Sequence, residues 1–139
     1  MYTPTLITLM GFIGWALFLL VLMEAIRSKM VIFKQVAPNG FNPNNSNLSA
    51  FMQRLARAHA NCIEGLPIFG GLMLVAIVTS NTSVTDELAF LFLAARIIQS
   101  LFHLASLSSL VVTLRFTAFT VQMGIAVYWF YTLFSVILS

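Results

Sequence analysis

The sequence predicts an all-α integral membrane protein in the form of a four-transmembrane-helix bundle. The first observation is composition, because the 139 residues are 60% hydrophobic and 8% charged, whereas soluble domains carry about 25% charged residues. The second is that four apolar stretches each approach the roughly 20 residues that a helix needs to cross a bilayer. The third is that these stretches are continuously apolar rather than alternating, and four strands could not close a barrel.

The elements follow in order along a single domain, residues 1–139. We predict spans over residues of about 6–25, 58–80, 88–110 and 117–138. The loop over about 27–57 is the longest, and its centre, rich in Asn, Pro and Gly, is typical of irregular structure. Ser46 or Ser49 is a candidate cap for the second helix. In the second loop, Ser83 and Asp86 have the spacing of a capping box at the start of the third helix.

Basic residues are distributed unevenly between the loops. Five of the seven lie in or beside the first loop: Arg27, Lys29, Lys34, Arg54 and Arg57. The second loop has none, and Arg115 lies near the third. The positive-inside rule therefore predicts that the first and third loops are cytoplasmic and that both termini are outside. So few basic residues, with a formal net charge of +3, do not indicate a nucleic-acid-binding protein.

Ionisable side chains within the spans form two stripes. Such residues are costly in a bilayer and usually face the bundle interior or a wet cavity. Arg57, Asn61 and Glu64 stand at i, i+4 and i+7, so they share one helix face. At 1.5 Å per residue, Glu64 lies about 10 Å deeper than Arg57. The third span carries a second stripe, formed by Arg96, Gln99 and His103.

Two interpretations of these stripes stay open. In the first they stabilise the bundle: Glu64 neutralises Arg96, and Asn61 and Gln99 form interhelical hydrogen bonds. In the second they form a pocket for a charged, water-soluble ligand that enters from the cytoplasm. Guanidinium groups bind carboxylates bidentately, and those available are Arg27, Arg57, Arg96 and Arg115. Glu64 and Asn61 would suit an ammonium or amide group.

Other chemistry is not indicated. The single cysteine, Cys62, excludes an internal disulfide framework and a multi-cysteine metal site. Two histidines without a matched set of carboxylates do not predict a metal site. The chain has no phosphate-binding loop and no Gly-rich dinucleotide motif.

The stretch RAHANCIEGLPIF resembles the second-helix signature of the MAPEG superfamily, the membrane-associated proteins in eicosanoid and glutathione metabolism, and the likeness is to its microsomal glutathione transferases. The matching residues are Arg57, Ala58, His59, Asn61, Glu64 and Pro67. Chain length, four spans, a long basic first loop and an arginine in the third helix also match. The resemblance implies a homotrimer that binds glutathione between neighbouring subunits and meets lipophilic small molecules in the bilayer.

The resemblance also implies a role for each candidate residue. The glutathione-binding set would be Arg27, Arg57, Asn61, Glu64, Arg96 and His103. The catalytic residue would be Arg115, which resembles the arginine that stabilises the glutathione thiolate. Such a role is physically coherent, because a nearby guanidinium lowers a thiol pKa and the thiolate is the nucleophile.

We therefore expect a glutathione-dependent membrane transferase or peroxidase that acts on lipophilic electrophiles. The alternative is a non-catalytic structural or accessory subunit. Three departures favour that alternative: Gly65 and His103 each stand where related enzymes often carry tyrosine, and the spacing from His103 to Arg115 is longer than usual. A channel is less supported, because the polar stripes cluster at one end of the bundle instead of crossing the bilayer.

Overall fold

The computed structural model describes residues 2–139, and in that part of the chain every regular element is helical. The α-helices are α1 (Pro4–Ile32), α2 (Ala50–Gly65), α3 (Gly71–Val78), α4 (Asp86–Ala105) and α5 (Ser109–Leu138). A five-residue π-helical turn, Leu66–Gly70, joins α2 to α3 within one span. Four helices are therefore long and apolar enough to cross a membrane, which confirms the predicted fold class.

Side-chain caps set the starts of three spans. The hydroxyl of Thr3 accepts a hydrogen bond from the Leu6 amide at 3.2 Å. At the start of α5, the hydroxyl of Ser108 accepts from the Val111 amide. Ser49 accepts from the Met52 amide at 3.3 Å, so it is the one of the two candidate serines that caps α2. Each cap satisfies an amide that has no partner within its own helix.

Helix bounds differ from the predicted spans wherever polar turns continue a helix beyond its apolar stretch. The first irregular segment is only residues 33–49, and most of the basic residues beside it therefore lie on helix ends. The predicted third span, 88–110, crosses a break at residues 106–108. The apolar residues after the break belong to α5, which begins at Ser109 and not at 117. Hydropathy identifies the part of a helix that can lie in the membrane core, whereas side-chain caps identify the residue at which the helix begins.

The predicted capping box at the start of α4 is wrong. Thr85 precedes α4 without a side-chain cap, and Asp86 turns instead towards α1. Its Oδ1 accepts from the Thr5 amide at 3.0 Å and from the Thr5 hydroxyl at 2.6 Å. That hydroxyl also lies 2.6 Å from the hydroxyl of Thr85. These residues, here called the Thr5–Thr85–Asp86 latch, join the starts of α1 and α4.

An aromatic cluster fills the centre of the bundle. Phe92 of α4 stacks on Phe12 of α1, with ring centroids 5.9 Å apart. The edge of Phe69, from the π-helical turn, meets Phe92 at 5.0 Å, and Trp129 of α5 lies 5.5 Å from Phe92. All four rings are buried. Because they come from all four spans, they hold the helices that carry the polar residues in fixed relation.

Candidate functional site

Arg96 lies at the heart of the polar region and is 0% exposed. Its guanidinium carbon stands 5.2 Å from the ring centroid of Phe12 and 5.5 Å from that of Phe69, and aromatic faces attract cations. A Cβ atom at Gly65 would stand 3.0 Å from Nη2 of Arg96 and 3.0 Å from the Phe69 ring. Gly65 therefore provides the room in which Arg96 and Phe69 pack against α2.

The expected ion pair between Glu64 and Arg96 is not formed. Glu64 is exposed, and among residues 2–139 the only carboxylate within ion-pair distance of an arginine or lysine is Glu24, which pairs with Arg27. Arg96 donates instead from Nη1 to Oδ1 of Asn61, at 2.5 Å. Its Nε and Nη2 atoms are buried and have no partner in the described part of the chain.

A chain of amide side chains continues from Asn61 across three helices. Gln99 of α4 donates to Asn61 Oδ1 at 3.1 Å, the interhelical contact expected from the two stripes. Gln122 of α5 donates to Gln99 Oε1 at 2.8 Å. Gln122 was not among the residues predicted for the site, although its i+7 spacing from Arg115 places both on one face of α5.

The turn at residues 106–108 brings Arg115 back onto α4. Its Nη1 atom lies 3.3 Å from Nδ1 of His103. Together with Asn61 and Gln99 these residues line a cavity of about 200 Å³, here called the polar cavity. Its complete lining is Asn61, Gln99, His103, Val112, Arg115, Phe116 and Phe119. The lining residues from α2 and α4 are polar, and α5 contributes Arg115 together with three apolar side chains.

The rest of the α2 stripe does not reach this cavity. Arg57 and Glu64 are exposed, whereas Asn61 between them is half-buried. The stripe therefore lies at the edge of the face by which α2 packs against the other helices. Only Asn61, in the middle of the stripe, is turned towards α4. Neither Arg57 nor Glu64 forms a side-chain hydrogen bond or an ion pair within residues 2–139.

Arg27 is engaged by its own surroundings and stands apart from the polar cavity. Its Nη1 atom donates to Glu24 at 3.0 Å. Its Nε atom donates at 3.1 Å to the buried Asn45, and Nη2 donates to the same amide oxygen. Nη2 also reaches the main-chain oxygens of Asn42 and Pro43, at 3.2 and 3.4 Å. Arg27 thus fastens the irregular first loop to α1.

Comparison with known proteins gives one match. The family model described as the MAPEG family matches residues 5–135, a range that contains α2, α4, all of α5 except its last three residues, and every candidate residue. No curated protein and no solved structure gives a significant match.

Proposed function

The chain belongs to the MAPEG family, and on that premise we propose that it is an enzyme that activates glutathione against lipophilic electrophiles. Its four candidate spans and its family make it a multi-pass membrane protein of the glutathione and eicosanoid metabolism superfamily. The observation that carries the proposal is the polar cavity, in which the guanidinium of Arg115 and the side chains of Asn61 and His103 converge at one end of the bundle.

The proposed chemistry is attack by the glutathione thiolate. Arg115 stabilises the charged form of sulfur, which raises the fraction of the reactive species. In a conjugation the sulfur forms a bond to an electrophilic carbon, and the leaving group departs with its bonding electrons. In a peroxidase reaction the same thiolate attacks a peroxide oxygen, the O–O bond breaks, and the departing alkoxide takes up a proton to become an alcohol. The sulfenic acid of glutathione that results reacts with the thiol of a second glutathione to give glutathione disulfide and water.

The apolar wall of the cavity supports a lipophilic second substrate. Val112, Phe116 and Phe119 lie on α5 beside Arg115. Phe116 is 64% exposed, on a helix apolar enough to lie in the bilayer. An electrophile dissolved in lipid would therefore reach the thiolate sideways, past Phe116, without passing through water.

We assign the remaining candidate residues to a homotrimer. Arg57 and Glu64 are exposed charges on a helix that crosses the membrane, and such charges usually face protein or a wet cavity. In this proposal they face a neighbouring subunit and hold the peptide part of glutathione there. Arg27 would contribute only if glutathione replaced some of its loop contacts.

We also propose that the polar cavity opens towards the cytoplasm, with both termini outside. The basic residues near the ends of α1, α2 and α5 support this orientation. Single cysteines at Ser46 and Ser139, introduced separately after Cys62→Ser, test it with an impermeant thiol reagent on intact cells. Labelling at Ser139→Cys alone is expected, and labelling at Ser46→Cys alone would contradict the orientation.

The direct test is catalysis by the purified protein in nanodiscs. We expect it to conjugate glutathione to a chromogenic aryl halide, or to reduce a lipid hydroperoxide with glutathione, faster than the uncatalysed reaction. Calorimetry on the same sample measures glutathione binding. Neither activity and no binding would together contradict the proposal.

The second candidate function is an accessory membrane subunit without catalysis. The observation that favours it is the packing at Gly65, where Arg96 and Phe69 occupy the room that a tyrosine would need. Glutathione binding without either reaction, together with co-purification with a larger membrane complex, would support this second function over the first.

A further inference from the structure

The end of α4 differs from the ends of the other α-helices. In α1, α2, α3 and α5, the amide that follows the last helical residue donates back to a carbonyl of the same helix. α4 ends at Ala105, and Ser106 after it is extended, with φ −170° and ψ 164°. In the described part of the chain, no main-chain amide of residues 106–108 donates to the last turn of α4. The carbonyls of that turn therefore need partners from elsewhere.

Arg54 of α2 supplies such a partner. Its Nε atom donates to the main-chain oxygen of Leu104 at 2.9 Å. Among residues 2–139, this is the only side-chain hydrogen bond that the last turn of α4 accepts. Arg54 is half-buried in the second turn of α2, and a cation at the C-terminus of a helix also interacts favourably with the helix dipole. Arg54 thus caps α4 from a neighbouring helix.

The place where α4 ends decides where α5 begins. Only residues 106–108 separate the two helices. Such a short connection makes the helices antiparallel neighbours, so the start of α5 stays beside the end of α4. A displacement of the end of α4 would therefore carry the first turns of α5 with it.

Arg115 lies within the part of α5 that this connection places. It is the seventh residue of α5, about two turns from the start of the helix. Its Nη1 atom lies 3.3 Å from Nδ1 of His103. His103 directly precedes Leu104, whose carbonyl Arg54 holds. Both partners of the contact between Arg115 and His103 therefore lie close to the capped end of α4.

We infer that Arg54 is a positioning residue for Arg115, because its cap on α4 fixes the turn that brings the Arg115 guanidinium to His103. Arg54 does not line the polar cavity, so it acts through α4 and not by contact with a ligand there. The inference rests on the proposed function for the catalytic role of Arg115. The placement of Arg115 itself does not depend on glutathione.

The test removes the cap and keeps the bulk of the side chain. Arg54→Met loses the donor and the charge but retains an unbranched apolar stem, which in arginine packs against neighbouring residues. The matched control is Gln53→Met. Gln53 donates a comparable hydrogen bond, at 3.1 Å, to the main-chain oxygen of Leu48 in the first loop. Arg54→Lys keeps a positive charge with N–H donors and is the rescue variant.

Hydrogen–deuterium exchange of the full-length protein in nanodiscs measures the cap without glutathione. In Arg54→Met, the amides of residues 101–105 and 109–115 should exchange at least about tenfold faster than in the wild type, because one hydrogen bond to a charged group contributes about that factor. Amides at the latch should be unaffected. Gln53→Met should leave both segments unchanged, and Arg54→Lys should stay close to the wild type.

Catalysis measures the consequence for Arg115. At saturating glutathione, kcat of Arg54→Met should fall by at least about tenfold, because a displaced guanidinium stabilises the thiolate less. The ultraviolet absorbance of the bound thiolate should fall with it, and Arg54→Lys should restore both. KM for glutathione should change little, since Arg57 and Glu64 lie on α2 itself. A merely structural role would lower the free energy of unfolding and leave kcat of the folded protein unchanged, as expected for Gln53→Met.

The outcomes separate this inference from the proposed function. Unchanged exchange at both segments in Arg54→Met would overturn the inference, and so would faster exchange with wild-type kcat and thiolate absorbance. Faster exchange that extends to the latch would also overturn it, because the effect would not be local to the end of α4. If the wild type neither binds nor turns over glutathione, the proposed function fails. Faster exchange confined to the two segments would then still support the placement of Arg115 by Arg54.

Discussion

The bundle contains two polar clusters, one at the starts of α1 and α4 and one that extends from the middle of α4 towards its far end, and the two differ in how completely their atoms are paired. In the Thr5–Thr85–Asp86 latch, the Thr5 hydroxyl bonds both of its partners and Asp86 caps α1. In the second cluster, Arg96 keeps two buried nitrogens without a partner in the described chain. Asn61, Gln99 and His103 of the second cluster line the polar cavity.

We propose that this difference separates a cluster that stabilises helix packing from a cluster that binds a ligand. Nearly all buried polar groups in native proteins are paired, and each exception needs a physical explanation. The paired latch joins the starts of α1 and α4 and so contributes to helix packing. Buried donors without a partner lower the free energy of unfolding of the protein. Proteins tolerate such a loss of stability at functional sites, of which ligand-binding sites are an example.

The largest expected effect is on catalysis, from Arg115→Ala. Loss of the guanidinium removes the group proposed to stabilise the thiolate, and deletion of one such electrostatic donor lowers turnover by about 10²–10³-fold. The measurement is the conjugation rate at saturating glutathione. Asp86→Ala, at the latch, is the matched control and should keep wild-type turnover. Equal rates for Arg115→Ala and the wild type would remove Arg115 from the proposed mechanism.

The next effect is on stability, from Gly65→Ala. The added methyl would press on the Arg96 guanidinium and the Phe69 ring at 3.0 Å, and overpacking of this kind costs about 1–3 kcal/mol. The free energy of unfolding in detergent is the quantity to measure. At Gly71, a Cβ meets nothing within 4 Å, so Gly71→Ala is the control and should be neutral or stabilising. A neutral Gly65→Ala would show that Arg96 does not depend on this glycine.

Asp86→Ala tests the Thr5–Thr85–Asp86 latch. It leaves the Thr5 amide at the start of α1 without its cap, and loss of a helix cap costs about 0.5–2 kcal/mol. Glutathione affinity should not change, because the latch lies at the far end of α4 from His103. A marked loss of glutathione affinity with an unchanged free energy of unfolding would mean that the latch and the polar cavity are coupled.

The smallest effect is expected from Ser108→Ala. Ser108 caps α5 through the Val111 amide at 3.4 Å, so its loss should destabilise the protein by about 0.5–1 kcal/mol. Ser109→Ala is the neighbouring control, because Ser109 is exposed and its hydroxyl caps nothing. Equal stabilities for the two variants would show that the cap does not hold the start of α5.

Most of the fold could be predicted from the sequence, because a bilayer requires long apolar helices and hydropathy identifies them directly. The helix ends could not be predicted in the same way, because they depend on polar turns and caps that lie outside the apolar stretch. The break before Ser109 is one example. The partner of Asp86 is another, because Thr5 lies 81 residues away along the chain and no local pattern connects them.

The candidate site could be predicted in part. The interhelical hydrogen bond between Asn61 and Gln99 agrees with the helical spacing, whereas Arg96 bonds Asn61 and not the predicted Glu64. It placed Arg57 and Glu64 on the same face of α2, but it could not say where the packed surface of that helix ends. Whether Arg27, Arg57 or Glu64 binds glutathione stays a prediction.

The most direct measurement of the central claim is a structure of the full-length protein in nanodiscs with glutathione. The account predicts the thiolate of glutathione in the polar cavity, within about 3 Å of the Arg115 guanidinium. Bound glutathione whose sulfur lies outside this cavity would contradict it.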